Sequence, residues 1–261
     1  MRENAMKAKW KAGEPTHGCW LSIPSSFSAE VMAHQGYDYV CIDMQHGVAD
    51  YQVAVTMLQA ISTTGATPIV RVPWNEPGII GRMLDAGAMG VVIPMVNSVE
   101  EAKQAVAACR YFPDGARSFG PVRAAYYAGS DYFGHANREI ACIPMIETRQ
   151  AVERLDDILS VPGIDAVYVG PADLSITLGL PPRMDNDGAF EEARLKIATA
   201  CARHGVTAGI HANAQLSAKH EAAGYRMITI TGDAGAMAAG AAADVRAAKG
   251  SGQSGAQPVY R

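Results

Sequence analysis

Residues 165–175 read Asp-Ala-Val-Tyr-Val-Gly-Pro-Ala-Asp-Leu-Ser (DAVYVGPADLS). After its first position the run 165–169 is apolar and rich in Val and Tyr, as in a strand buried on both faces. Gly170-Pro171 ends it, and a proline suits the first turn of a helix. The stretch is a strand handing over to a helix. Upstream, the same hand-over follows the candidate strands 18–23, 38–43, 67–72, 90–95 and 140–146, and downstream it follows 206–210 and 226–230. Helix candidates lie between them, near 27–35, 51–63, 77–86, 98–109, 149–159, 188–204, 213–223 and 233–248. Eight such units in order predict an α/β chain closed into a (β/α)8 (TIM) barrel rather than an open sheet. The 261 residues agree with the roughly 250 typical of one such barrel. No G-x-G-x-x-G follows the first strand, which disfavours a doubly wound dinucleotide-binding fold.

Composition narrows the function. Hydrophobic residues make up 49% and the net charge is -4, so no basic surface argues for nucleic acid or an anionic membrane. No apolar run approaches the roughly 20 residues needed to span a bilayer. Met1 to Lys11 form a polar, basic arm with no signal-peptide core behind it. Cys19, Cys41, Cys109, Cys142 and Cys201 are odd in number and lack a CxxC pair, which suggests reduced thiols in a cytoplasmic protein. One domain spanning 1–261 is expected, with its core at about 16–248 and a flexible Gly/Ser/Gln-rich tail at 249–261. Residues 111–139 are long for a connection and rich in Tyr, Phe, Gly and Arg; long ordered loops tend to carry function, so this one is expected to roof the site.

Catalytic groups in such barrels sit at the C-terminal ends of the strands. Those positions hold Asp43, Gln45 and His46 after strand 2, and Arg71, Trp74 and Asn75 after strand 3. Glu147 follows strand 5, and Gly170 to Asp173 follow strand 6. His211 and Asn213 follow strand 7, and Thr231, Gly232 and Asp233 follow strand 8. Glu147 and Asp173 are the metal candidates, because two carboxylates completed by water and substrate oxygens suit a hard ion such as Mg²⁺ or Mn²⁺. Either alone can equally be a helix cap. With Pro171 in a first helical turn, the N–H groups of Ala172 and Asp173 are free to take a substrate carboxylate, or simply begin the helix.

His46 lies three residues beyond Asp43. A carboxylate on one imidazole nitrogen raises the basicity of the other, which would make His46 a general base; surface exposure is the plainer reading. His211 is a second, less favoured candidate. Arg71 offers a planar fork to a carbonyl or carboxylate, or forms a salt bridge at the mouth, and Arg123 in the long loop can hold a second anionic group. None of the seven lysines falls on a candidate strand, which argues against a Schiff-base aldolase.

IDMQHG (42–47), PIVRVPWN (68–75), LDAGAMGVVIPMV (84–96), RYFPDGARSFGP (110–121), PMIET (144–148) and VGPADLS (169–175) together resemble the HpcH/HpaI family of class II pyruvate aldolases, in register from about residue 7 to residue 248. The resemblance implies a barrel of the phosphoenolpyruvate/pyruvate type that binds Mg²⁺, Mn²⁺ or Co²⁺ through Glu147 and Asp173 and needs no organic cofactor. It implies reversible aldol cleavage of a 4-hydroxy-2-oxo acid to pyruvate and an aldehyde, through a metal-stabilised pyruvate enolate. His46, paired with Asp43, would be the base, acting through a metal-bound water, and Arg71 would stabilise the enolate. Gly170, Pro171 and the Ala172 and Asp173 amides would frame pyruvate. Asp85 matches an acidic position contributed across a subunit boundary, within a homohexamer whose last helix is exchanged between neighbours. Gln45 and Met145 depart from the family pattern, where many members carry glutamate and some carry glutamine. Decarboxylase or CoA-thioester lyase chemistry on the same scaffold, or a catalytically silent metal-binding barrel, are the alternatives.

Overall fold

Short side chains with a free oxygen start many of the helices. Ser25, Asp50, Ser98 and Thr148 stand in extended backbone just before helices, and each accepts a hydrogen bond from the N–H three residues on. In a computed structural model describing residues 1–249, these caps alternate with strands of four to six residues. The strands are β1 (Thr16–Leu21), β2 (Tyr39–Asp43), β3 (Thr67–Arg71), β4 (Gly90–Ile93), β5 (Ala141–Pro144), β6 (Ala166–Val169), β7 (Thr207–His211) and β8 (Met227–Gly232). The first helices are α1 (Ala5–Lys11), α2 (Ser26–Ala33), α3 (Tyr51–Ile61), α4 (Pro77–Asp85), α5 (Val99–Cys109), α6 (Ala124–Ala128) and α7 (Tyr132–Glu139). They continue with α8 (Arg149–Glu153), α9 (Leu155–Leu159), α10 (Pro171–Thr177), α11 (Ala189–His204), α12 (Ser217–Ala222) and α13 (Asp233–Lys249).

All strand pairs are parallel, in the order β5-β4-β3-β2-β1-β8-β7-β6. The ends of that sheet meet: Met145 bridges Tyr168, and the Ile146 N–H donates to the Tyr168 carbonyl at 2.9 Å. The sheet is a nearly closed barrel, as the strand count predicts. Alternate strand residues fill two layers. Trp20, Tyr39, Cys41, Ile69, Val92, Tyr168 and Met227 pack inside the barrel. Val40, Ile42, Val70, Val91, Val167 and Ile210 face the helices. Each such side chain contributes roughly 1.5–3 kcal/mol by leaving water. All five cysteines are free and buried. Among the described residues no helix is long and apolar enough to cross a membrane.

Three expectations change. The N-terminal arm is not merely polar: Asn4 caps α1 and donates to the Met89 and Glu139 carbonyls at 2.9 and 2.8 Å, while Met6 enters the barrel interior. The stretch 111–139 does not roof this chain's own strand ends. It joins the end of α5 to the start of β5, so connectivity puts it at the opposite, N-terminal face, where it folds into α6 and α7. There Arg110 donates to the Ile140 and Gly163 carbonyls and pairs with Asp165 at 2.6 Å. The third concerns the tail expected at 249–261: Lys249 is the last residue of α13, and residues 250–261 lie outside those described.

Candidate active site

The C-terminal ends of the strands gather most of the expected residues. Asp43, the last residue of β2, is 2% exposed and serves as a hub. Arg71, the last residue of β3, presents Nε to Asp43 Oδ1 at 2.9 Å and Nη2 to Oδ2 at 2.5 Å. The Trp20 indole donates to Oδ2 at 3.1 Å, and the backbone N–H groups of Gln45 and His46 donate to Oδ1 at 3.0 and 3.2 Å. Burial opposes ionisation of Asp43, but the Arg71 fork and charge, the indole and the Gln45 amide together hold it below the usual carboxylate range. The fork uses one edge of the guanidinium. Arg71 Nη1 has no hydrogen-bond partner among the described residues, and the group lies 5.0 Å over the Trp20 ring.

This arrangement corrects one expectation. Asp43 does not grip the His46 imidazole; it accepts from the His46 backbone, because Arg71 and Trp20 already occupy its outer lone pairs. His46 is exposed, and its ring has no hydrogen-bond partner among the described residues. Gln45 contributes only its backbone amide, and its Oε1 is buried without a partner among them.

Glu147 lies just beyond β5 and is 2% exposed. Its Oε1 accepts from the Met95 N–H at 2.8 Å, at a residue with φ of 56°, rare for a side chain other than glycine. Burial pushes Glu147 up to about 7; the Met95 amide and Arg71 pull it down, and Asp173 pushes it up. Asp173 sits in the first turn of α10, which Gly170 and Pro171 start without any side-chain cap. The first-turn amides of Ala172 and Asp173 therefore stay open. Gly170 is required by space: a Cβ there would stand 2.5 Å from Glu147 Oε2. Thr148 caps α8 and hydrogen-bonds Asn97 Oδ1, while Asn97 donates to the Met95 carbonyl at 2.9 Å, bracing the same corner.

Among the described residues no group of three or more His, Cys, Asp or Glu side chains forms a cage. The pair Glu147 and Asp173 nevertheless fits a hard divalent cation. Glu147 Oε2 has no hydrogen-bond donor among the described residues, the nearby arginine is spent on Asp43, and glycine leaves the space beside it open. The eight strands carry no lysine, so no Schiff-base amine faces the interior from them.

Two expected residues do not join this cluster within one chain. Asp85 ends α4, on the N-terminal side, and pairs with Arg117 at 2.7 Å. Arg123 is on that side too, donating to the Ala86 carbonyl at 2.6 Å and Ser62 Oγ at 3.0 Å, with its charge turned to internal acceptors. Asp233 is structural: it accepts from Ser22, Ile23 and Ala234 N–H groups and pins the start of α13 to the loop after β1. Asn213 caps the turn after β7, and Asn75 holds the Glu101 carbonyl. Sequence spacing assigns no site role to Trp20, Met95 or Tyr168. Trp20, close to the end of its strand, carried a readable signal; the backbone twist at Met95 did not.

Residues 16–239 match the family described as HpcH/HpaI aldolase/citrate lyase. Over 186 residues the chain is 44% identical to a hydroxypyruvate/pyruvate aldolase of Rhizorhabdus wittichii, covering 71% of this chain and 74% of that protein. A 4-hydroxy-2-oxo-heptane-1,7-dioate aldolase of Escherichia coli is 37% identical over 247 residues, 92% of this chain and 93% of that one. The crystal structure of an HpcH/HpaI aldolase/citrate lyase family protein from Burkholderia cenocepacia superposes with a TM-score of 0.88 at 34% identity, covering 94% of this chain and 99% of the other. With residues 16–239 matching the family, and the barrel and most of the length in common with these relatives, this chain belongs to the HpcH/HpaI aldolase/citrate lyase family.

Proposed function

We propose that Glu147 and Asp173 hold a divalent cation, Mg²⁺, Mn²⁺ or Co²⁺, and that His46 and Arg71 carry out the proton and charge handling of aldol cleavage beside it. The reaction is that of the family, a carbon–carbon lyase cleaving 4-hydroxy-2-oxo acids reversibly to pyruvate and an aldehyde. The observation that carries the residue roles is a charge imbalance: the Asp173 charge opposes ionisation of Glu147, while the cation near Glu147 among the described residues, Arg71, is bound to Asp43. A bound cation would draw electron density from the 2-oxo group and lower the cost of negative charge developing there.

The chain's own residues do the rest. The open amides of Ala172 and Asp173 take the substrate carboxylate beside Gly170 and Pro171. Arg71, held by Asp43 and lying over Trp20, points its free Nη1 at the C2 oxygen. His46 accepts the C4 hydroxyl proton, the C3–C4 bond electrons pass towards the C2 oxygen as an enolate, and the aldehyde leaves. Protonation at C3 yields pyruvate. Asp43 acts as a positioning residue for Arg71 and for the backbone of the His46 loop.

Asp85 and the exchanged last helix belong to an assembly. Only Asp233 of α13 is buried, so among the described residues the Ala-rich remainder stays largely uncovered. A helix of this length is marginal alone in water and gains stability by docking. Phe112, Phe119, Val122, Tyr126 and Phe133 add exposed apolar surface on the stretch next to Asp85. Both features support a homohexamer in which Asp85 is presented to a neighbour's site.

Proton NMR of pyruvate in D₂O, with chelator-stripped protein and added Mg²⁺, Mn²⁺ or Co²⁺, tests the reading without any choice of aldehyde. Metal-dependent deuteration of the methyl group is expected. No exchange under any of the three ions would overturn the residue assignment.

A further inference from the structure

Inside the barrel, three hydroxyls and an imidazole form one hydrogen-bonded row that the aldol steps above do not use. Tyr39 Oη lies 3.0 Å from Thr229 Oγ1, Thr229 Oγ1 lies 2.5 Å from Tyr168 Oη, and Tyr168 Oη lies 3.2 Å from His211 Nδ1. Tyr39, Tyr168 and Thr229 are all 0% exposed. Gly18 makes the row possible, since a Cβ there would fall 2.1 Å from the Tyr39 ring.

The row has only one fully satisfied direction. Among the described residues Tyr39 Oη has a single polar partner, so its proton goes to Thr229. Thr229 then gives its own proton to Tyr168, and Tyr168 gives its proton to His211 Nδ1. The reverse sense at the last link would make Thr229 accept twice and leave its buried hydroxyl hydrogen unpaired, which is unfavourable away from water. A neutral imidazole carries one donor and one acceptor nitrogen. With Nδ1 accepting, the proton sits on Nε2.

His211 is the last residue of β7 and half-buried. Its ring meets Trp20 edge-on at 5.1 Å, and Trp20 in turn lies under Arg71. Nε2 has no partner among the described residues and is not among their buried unpaired atoms, so it opens to the mouth. Burial, with the Arg71 charge adding, holds His211 down to about 4, which keeps the ring an uncharged donor near neutral pH. Around the mouth, strand order runs from Glu147 and Asp173 through His211 to Trp20, Asp43 and Arg71. On the reading proposed above, the 2-oxo acid end engages Glu147, Asp173 and Arg71, and His46 serves the C4 oxygen. The Nε2–H is left for the remaining part of the substrate.

We propose that the Tyr39–Thr229–Tyr168 row locks His211 as its Nε2–H tautomer and makes it a specificity-determining donor to a hydroxyl oxygen on the carbon next to the aldehyde carbonyl. An uncharged N–H in this setting suits an uncharged oxygen, and a methylene in its place leaves the donor unpaired. This inference rests on the aldolase roles assigned above.

The test compares wild type, His211→Leu and Tyr168→Phe, each loaded with Mn²⁺. Two rates are measured: deuteration of the pyruvate methyl group, which needs no aldehyde, and addition of pyruvate to glycolaldehyde or propanal, which match in size and differ by one oxygen. The ratio of kcat/KM for glycolaldehyde over propanal should fall about 10- to 100-fold in His211→Leu. Tyr168→Phe should lower that ratio in the same direction but less, and deuteration should persist in both variants. An unchanged ratio, or a loss shared equally by deuteration and both aldehydes, would overturn the role of His211 while leaving the aldolase assignment standing. Absence of deuteration in wild type would overturn the aldolase roles and this proposal with them.

Discussion

Asp43 shows how one buried carboxylate can organise the groups around it. Its carboxylate accepts five donors, and only the two from Arg71 are cationic. Asp43→Asn keeps the shape but withdraws the charge that holds the fork, and amide hydrogens then face Arg71. We expect kcat/KM to fall at least about 10-fold with cation affinity retained, checked by steady-state kinetics beside calorimetric Mn²⁺ titration. His46→Ala should lower kcat by about 10²- to 10⁴-fold while Mn²⁺ affinity stays within experimental scatter, since no ligand is touched. Parallel loss of both would identify His46 as structural. Glu147 has a pH signature. Its value rises from 4.5 to about 7 in the fold, so the folded metal-free chain binds the extra proton between those limits. Stability of the metal-free protein therefore decreases as pH rises through that window. A cation takes only the ionised form, so the increase in Tm on adding Mn²⁺ should be larger at pH 8 than at pH 6. Glu147→Gln should flatten that difference, and a pH-independent increase in wild type would refute the assignment.

At the scale of elements, the site depends on where helices begin. The start of α10 brings Asp173 towards Glu147 because Gly170 has no side chain, and Pro171 needs no N–H. In Gly170→Ala the added methyl meets Glu147 Oε2 at 2.5 Å and the Met145 side chain at 3.0 Å, so the carboxylate must move. Mn²⁺ affinity should drop about 10- to 100-fold with little change in far-ultraviolet circular dichroism. Unchanged affinity would place the cation elsewhere. The stretch 111–139 carries the opposite lesson. Its composition marked it as functional, and its connectivity, α5 to β5, assigned it to the other end of the barrel. Composition reports that a loop is ordered and aromatic, whereas only strand direction says which face it covers.

For the whole molecule, the surfaces left bare within one chain are the informative ones. α13 has one buried residue, with Met237 61% and Val245 46% exposed along an alanine-rich helix. Light scattering should give a multi-subunit mass for the unaltered protein. Met237→Lys should shift it towards smaller species, because a charge is expensive where an apolar face docks. A monomeric unaltered protein would exclude both helix exchange and the presentation of Asp85 to a neighbour.

Strand count, the starts of the helices that follow the strands and the positions of Asp43, His46, Arg71, Glu147 and Asp173 were determined by the linear sequence; α1, α6 and α7 were not. Each feature so determined depends on local physics: apolar runs of strand length, capping residues, a proline at a first turn, and the rule that strand ends carry the chemistry. Tertiary structure alone decided who partners whom. It gave the Asp43 carboxylate to Arg71 and Trp20 rather than the His46 imidazole, and set Met95 against Glu147. It carried Arg123 to the far face and aligned Tyr39, Thr229 and Tyr168 behind His211, residues separated by up to 190 positions in the chain. Hydrogen-bond choice is a competition among all groups brought within about 3 Å, and spacing along a chain contains no record of the competitors that folding introduces.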